Sequence, residues 1–79
     1  MNIKKAQSIV SNYENGEVFG NKAKVVKVQK ITSDSYGAYL KNVDQVEKEG
    51  WIIIDCIGKW EVSEDIVMDV EEYEEYKGL

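Results

Sequence analysis

Apolar and polar positions divide the chain into helix-like and strand-like stretches. Over residues 2–14, Ile3, Ala6, Ile9 or Val10, and Tyr13 recur at three- and four-residue steps, which places them on one helix face. Asn2 supplies a capping side chain and Asn15-Gly16 a stop. Val18-Phe19 and the Val-rich run 23–31 flank Gly20-Asn21, a dipeptide suited to a tight turn. A hairpin with a strand over 23–31 is therefore predicted. Over 34–49, Tyr36, Tyr39, Leu40, Val43 and Val46 follow helical spacing, with Ser33 as cap, Asp34 at the positive helix start and Gly50 as stop. Gly37 weakens that helix by about 1 kcal/mol relative to Ala. The alternative is a strand over 36–43, completing an SH3-like small β-barrel behind the N-terminal helix.

The run 51–57 is the clearest strand. Ile52, Ile54 and Cys56 share one face, and Trp51, Ile53, Asp55 and Ile57 share the other. Both faces are apolar at the start, which predicts a central place in a sheet. Gly58-Lys59 can turn the chain back into a strand at 60–62. The final segment reads two ways. Ser63 as cap, Glu64 and Asp65 in the first turn, Lys77 in the last and Gly78 after it frame one helix, with Ile66, Val70 and Tyr73 on a common face. Alternatively, 66–68 extends the hairpin and only 71–77 is helical. The single helix is preferred.

These elements predict one α+β domain over residues 1–79. An antiparallel sheet of three to four strands is packed by an N-terminal helix, a middle helix and an acidic C-terminal helix. The expected core holds Ile9, Val26, Val28, Leu40, Val43, Ile52, Ile54, Cys56, Trp60 and Val70. An apolar fraction of 43% suits a folded chain rather than a disordered one. The longest wholly apolar run, 51–54, is far too short to cross a bilayer, and no apolar leader follows Lys4 and Lys5. Cys56 is the only cysteine, so no intrachain disulfide forms and a reducing, cytoplasmic setting is expected.

Missing residue types remove several chemistries. The chain contains no His, Arg or Pro. Without His, a nucleophilic triad lacks its usual base, and one Cys alone cannot build a structural zinc site. The glycines at 16 and 20 with Lys22 do not form a phosphate loop, and the acidic end lacks a calcium-loop pattern. Cys56 reads as a packed core thiol rather than a nucleophile. Asp55 reads as the point where its strand meets solvent or a neighbouring Lys, and Thr32, Ser33 and Ser35 as turn residues. No catalytic residue, cofactor or metal is expected.

Charge is what remains, and it is sorted by position. Lys4, Lys5, Lys22, Lys24, Lys27 and Lys30 lie in the first 30 residues against Glu14 and Glu17. Glu61, Glu64, Asp65, Asp69, Glu71, Glu72, Glu74 and Glu75 lie in 61–79 against Lys77. Within that end, Asp69, Glu71, Glu72, Glu74 and Glu75 interleave with Tyr73 and Tyr76. Rings that supply contact area among charges that steer association make a good interface mix, and these seven residues are the expected partner-binding surface. The plain reading of the same stretch is a solvated helix face.

The short length, α+β pattern, Lys-without-Arg composition and EEYEEY end together resemble, in style, small acidic proteins that phages and mobile elements direct against host defences. Anti-CRISPR and anti-restriction DNA mimics are of this type. The resemblance implies a non-catalytic inhibitor that docks an acidic surface onto a basic groove of a nuclease or another nucleic-acid-handling protein. Separately, Lys24-Val25-Val26-Lys27-Val28 and the later Glu49-Gly50-Trp51-Ile52-Ile53-Ile54 are similar to a small bacterial β-α-β-β domain, which implies a sheet order and no activity. One alternative is a nucleic-acid binder that uses the 22–30 strand, with Lys22, Lys24 and Lys30 on one face and Lys27 on the other. A net charge of −5 opposes direct binding of a polyanion. Another is a self-associating module built on a sheet edge, so the chain is expected as a monomer or homodimer.

Overall fold

The computed structural model describes residues 1–11, 23–42, 44 and 49–78, and the backbone alone at 23 and 64–67. Helix α1 (Ile3–Ser11) precedes four strands, β1 (Ala23–Thr32), β2 (Ser35–Asn42), β3 (Glu49–Ile57) and β4 (Lys59–Met68), and helix α2 (Val70–Lys77) closes the chain. The strands form one antiparallel sheet in the order β1-β2-β3-β4. This is an α+β architecture. No helix among the described residues is long and apolar enough to span a membrane.

α1 begins where the sequence predicts. The Asn2 side chain accepts from the Lys5 amide at 2.8 Å, satisfying one of the free donors at a helix start. Ala6 is fully buried, and Met1, Ile9 and Val10 pack around it, while Ile3 is largely exposed. Residues 12–14 and the expected turn at Gly20-Asn21 lie outside the described residues, as do Val43 and Val46.

β3 organises the molecule. Every residue from Gly50 to Ile54 is buried, so both of its faces are covered and strands flank it on both sides. One face joins Ile52 and Ile54 to Ala6, Val25, Ala38 and Leu40, with Val28, Trp60 and Val62 at the margin. The other joins Trp51 and Ile53 to Met68 and Tyr73, with Ile31 and Tyr39 at the margin. α1 covers the first face and α2 the second. The predicted turn after 57 is present, and Gly58 takes a φ of +88° there, a region that suits glycine.

Two predicted helices give way to strands. Residues 35–42 form β2, matching the alternative strand at 36–43 rather than a helix over 34–49. Tyr36, Tyr39 and Leu40 satisfy helical spacing, but Tyr36, Ala38 and Leu40 also alternate with Gly37, Tyr39 and Lys41. Tertiary demand decides: β3 needs a partner for its backbone groups on each edge. The two-residue loop Ser33-Asp34 folds β2 back onto β1, with the Asp34 amide donating to Thr32 Oγ1 at 3.2 Å. The SH3-like alternative does not form among the described residues, because β1 and β4 are opposite edges of an open sheet.

Likewise, 59–68 is strand, and the final helix starts at Val70 rather than after Ser63. Asp69 is the cap that operates, its carboxylate accepting from the Glu72 amide at 2.8 Å. Ser63 instead donates to the Ile53 carbonyl at 3.4 Å. The later start makes Val70 the first residue of the helix, where it is 55% exposed although it lies three positions from Tyr73, and removes it from the expected core. Val26 also leaves the core, at 44% exposure, because a bulge interrupts β1 between Val25 and Lys27. Cys56 is only partly buried. Leu40, Ile52 and Ile54 are buried as expected, and Ile9, Val28 and Trp60 pack at the margin.

Candidate interaction surfaces

Tyr73 is the buried side chain of α2 and its main hold on the sheet among the described residues. Tyr73 is fully buried and stacks on Trp51, with ring centroids 4.0 Å apart and planes 2° from parallel. The ring lies across Gly37. A Cβ there would fall 2.5 Å from Tyr73 Cε1 and clash with the hydroxyl, so the absence of a side chain at 37 admits the ring. Tyr73 Oη donates to Gln29 Oε1 on β1 at 3.0 Å, and Lys77 Nζ donates to the same oxygen at 3.1 Å. Lys77 also pairs with Glu74 at 3.1 Å and lies 5.4 Å from the centre of the Tyr73 ring.

These contacts sort the predicted partner-binding residues. Tyr73 is corrected from a surface residue to the anchor of α2, because its ring fills the space above Gly37. Asp69 is exposed but engaged as the helix cap, and Glu74 is paired with Lys77. Glu71, Glu72 and Glu75 are exposed and have no ion-pair partner among the described residues. Tyr76, 39% exposed, and Val70 add apolar area to the same helix.

A second surface lies on the same side of the sheet, beyond the cover of α2. The β1 bulge shifts the register, so that Lys24 pairs with Lys41 and Lys27 with Tyr39. Lys24 and Lys27 therefore lie on one face, with Lys30 on the other. This corrects the expected grouping of Lys24 with Lys30. Lys22 is outside the described residues. Lys27 Nζ sits 5.5 Å from the centres of both the Tyr39 and Trp51 rings, and Lys41 Nζ 5.9 Å from Tyr39. Tyr39 is half-buried against Trp51, with centroids 5.1 Å apart. Hydrogen bonding to the Glu49 carboxylate, then burial, then the Glu49 charge hold the Tyr39 hydroxyl above its ordinary pKa. Lys41 faces the same carboxylate at 3.6 Å.

Strict alternation separates Lys24 from Lys27, which hides this lysine corner in the sequence. The available signal was the Val25-Val26 doublet, which breaks the alternation where a bulge can form. Among the described residues no three acidic or sulfur side chains converge to hold a metal ion. No family model matches the chain, and no curated protein or solved structure matches it.

Proposed function

We propose that this protein is a non-catalytic binding domain that works in the cytoplasm. The outer side of α2 docks onto a basic groove of a nucleic-acid-handling protein, in the manner of a DNA-mimic inhibitor. One observation carries the reading. Tyr73 and Lys77 take up the sheet-facing side of α2, which leaves Glu71, Glu72 and Glu75 turned outward with exposed Tyr76 beside them. Unpaired carboxylates attract a basic surface and speed encounter, and the Tyr76 ring supplies contact area once docked. The lone Cys56, with no disulfide to form, suits a reducing compartment.

The test compares wild type with Glu71→Gln/Glu72→Gln/Glu75→Gln as baits for proteins from the native host lysate. Glu74→Gln serves as the control, because Glu74 is already paired. The expected result is a nucleic-acid-binding protein retained by wild type and the control, released by salt, and lost by the triple variant. Equal retention by all three baits, or retention that ignores salt, overturns the reading.

A further inference from the structure

We infer that the lysine corner beside α2 receives the acidic α2 of a second copy, so that the chain forms a closed two-fold dimer. The inference rests on α2 being a docking surface and adds the partner it meets at rest. It differs from edge pairing, because the contact is made by a sheet face.

Three observations converge. First, the described residues cover the α2 face of the sheet only in part: Lys24 and Lys27 are exposed and Tyr39 and Lys41 half-buried. Second, the uncovered corner and α2 lie on the same side of the sheet. When two such faces meet about a two-fold axis lying between them, each α2 can rest on the corner of the other copy. The contact is self-complementary and stops at two. Third, the surfaces are opposite in sign. Glu71, Glu72 and Glu75 meet Lys24, Lys27 and Lys41, while Tyr76 and Tyr39 bring apolar surface.

Distance decides between the attraction and the net charge of −5 on each copy. Pairs in contact at about 4 Å lie within the Debye length of roughly 8 Å at physiological salt. The net charges act over a domain diameter and are screened. The same field argues against nucleic acid in this corner. Glu49 sits beside Lys41 and the α2 carboxylates flank the approach, so an extended polyanion runs on from the lysines into like charge, whereas a second α2, eight residues long, presents its carboxylates to the corner alone. A basic partner and a second copy would compete for the same carboxylates.

The experiment is sedimentation of the full chain over a concentration series at low, physiological and high salt. Wild type, Lys24→Glu/Lys27→Glu and Glu71→Lys/Glu75→Lys are compared, with circular dichroism to confirm folding. Lys24→Glu/Lys41→Glu replaces the first variant if that one fails to fold. Wild type is expected to dimerise and to dissociate as salt rises. Each variant alone should dimerise about a hundredfold more weakly or worse, because like charges then face each other. An equimolar mixture of the lysine and glutamate variants should recover the dimer, since both contacts in the mixed pair are again opposite in sign. A wild type that stays monomeric, or a mixture that does, overturns the inference. So does salt-sensitive binding of a labelled oligothymidylate that is lost with Lys24 and Lys27. A monomer that still loses its lysate partner on Glu→Gln substitution defeats only the dimer. A charge-rescued dimer with no salt-sensitive partner defeats only the docking reading above.

Discussion

The two faces of the sheet are sealed in different ways. On the α1 side, aliphatic residues from α1, β1, β2 and β3 share the burial, with Ala6, Val25, Ala38, Leu40, Ile52 and Ile54 in one cluster. On the α2 side, aromatic rings dominate, and Tyr73 is the only fully buried side chain that the helix contributes. Distributed aliphatic packing loses a fraction of its contacts when one residue is cut back. A single ring seated over a glycine loses its hold at once. Among the described residues, the acidic helix is thus held chiefly by the Tyr73–Trp51 stack and by one shared hydrogen-bond acceptor, Gln29.

The largest expected effect is on that anchor. Tyr73→Ala should cost about 3–5 kcal/mol. Hydrogen exchange should show the amides of 70–77 losing protection before the sheet does. Leu40→Ala, on the α1 side, should cost about 2–5 kcal/mol and lower the denaturation midpoint without releasing α2 selectively. Equal protection of 70–77 in the two variants would erase the contrast between the faces.

Gly37→Ala comes next, at about 1–3 kcal/mol of overpacking, because its methyl meets the Tyr73 ring. Tyr73→Phe should cost roughly 1 kcal/mol for the lost bond to Gln29. The double variant should cost less than the sum, since removing the hydroxyl removes part of the clash. Strict additivity in urea denaturation would show that Gly37 is not matched to Tyr73.

The same hydroxyl sets an alkaline response. Burial first, and the Glu74 charge second, raise the Tyr73 pKa above its ordinary 10.0. The neutral form is the one that fits. The folded chain therefore holds this proton at pH values where the unfolded chain has released it. The contribution to stability is complete below about pH 10 and declines as pH rises toward the folded pKa. Tyr73→Phe should flatten this decline in an alkaline denaturation series. The smallest effect is expected at Glu71→Gln/Glu75→Gln, within about 0.5 kcal/mol of wild type, which keeps the binding tests free of folding artefacts.

Much of the frame was legible in the residues. Asn2 marked the start of α1, the two apolar faces of 51–57 marked the central strand, and Gly58 marked the turn. β2 was legible only as the alternative strand at 36–43, because Tyr36, Tyr39 and Leu40 fit both the helical period and alternation. Only the need of β3 for a neighbour selects between them. The start of α2 was obscured by two capping residues, Ser63 and Asp69, each followed by acids. That ambiguity carried into the candidate site. The acidic stretch 69–76 was visible as a composition, but the inward turn of Tyr73 depends on Gly37, 36 positions away in sequence. The lysine corner depends on a one-residue bulge that the Val25-Val26 doublet permits but does not dictate.

A tie between α1 and β1 bears on how the protein behaves when crowded. Gln7 Oε1 accepts from the Val25 amide at 2.7 Å, at the border strand of the sheet. Border strands with free amides are templates for cross-β stacking. Here an incoming strand must first dislodge the glutamine, and it meets a row of lysines on arrival. Pairing through β1 is therefore disfavoured when the protein is concentrated.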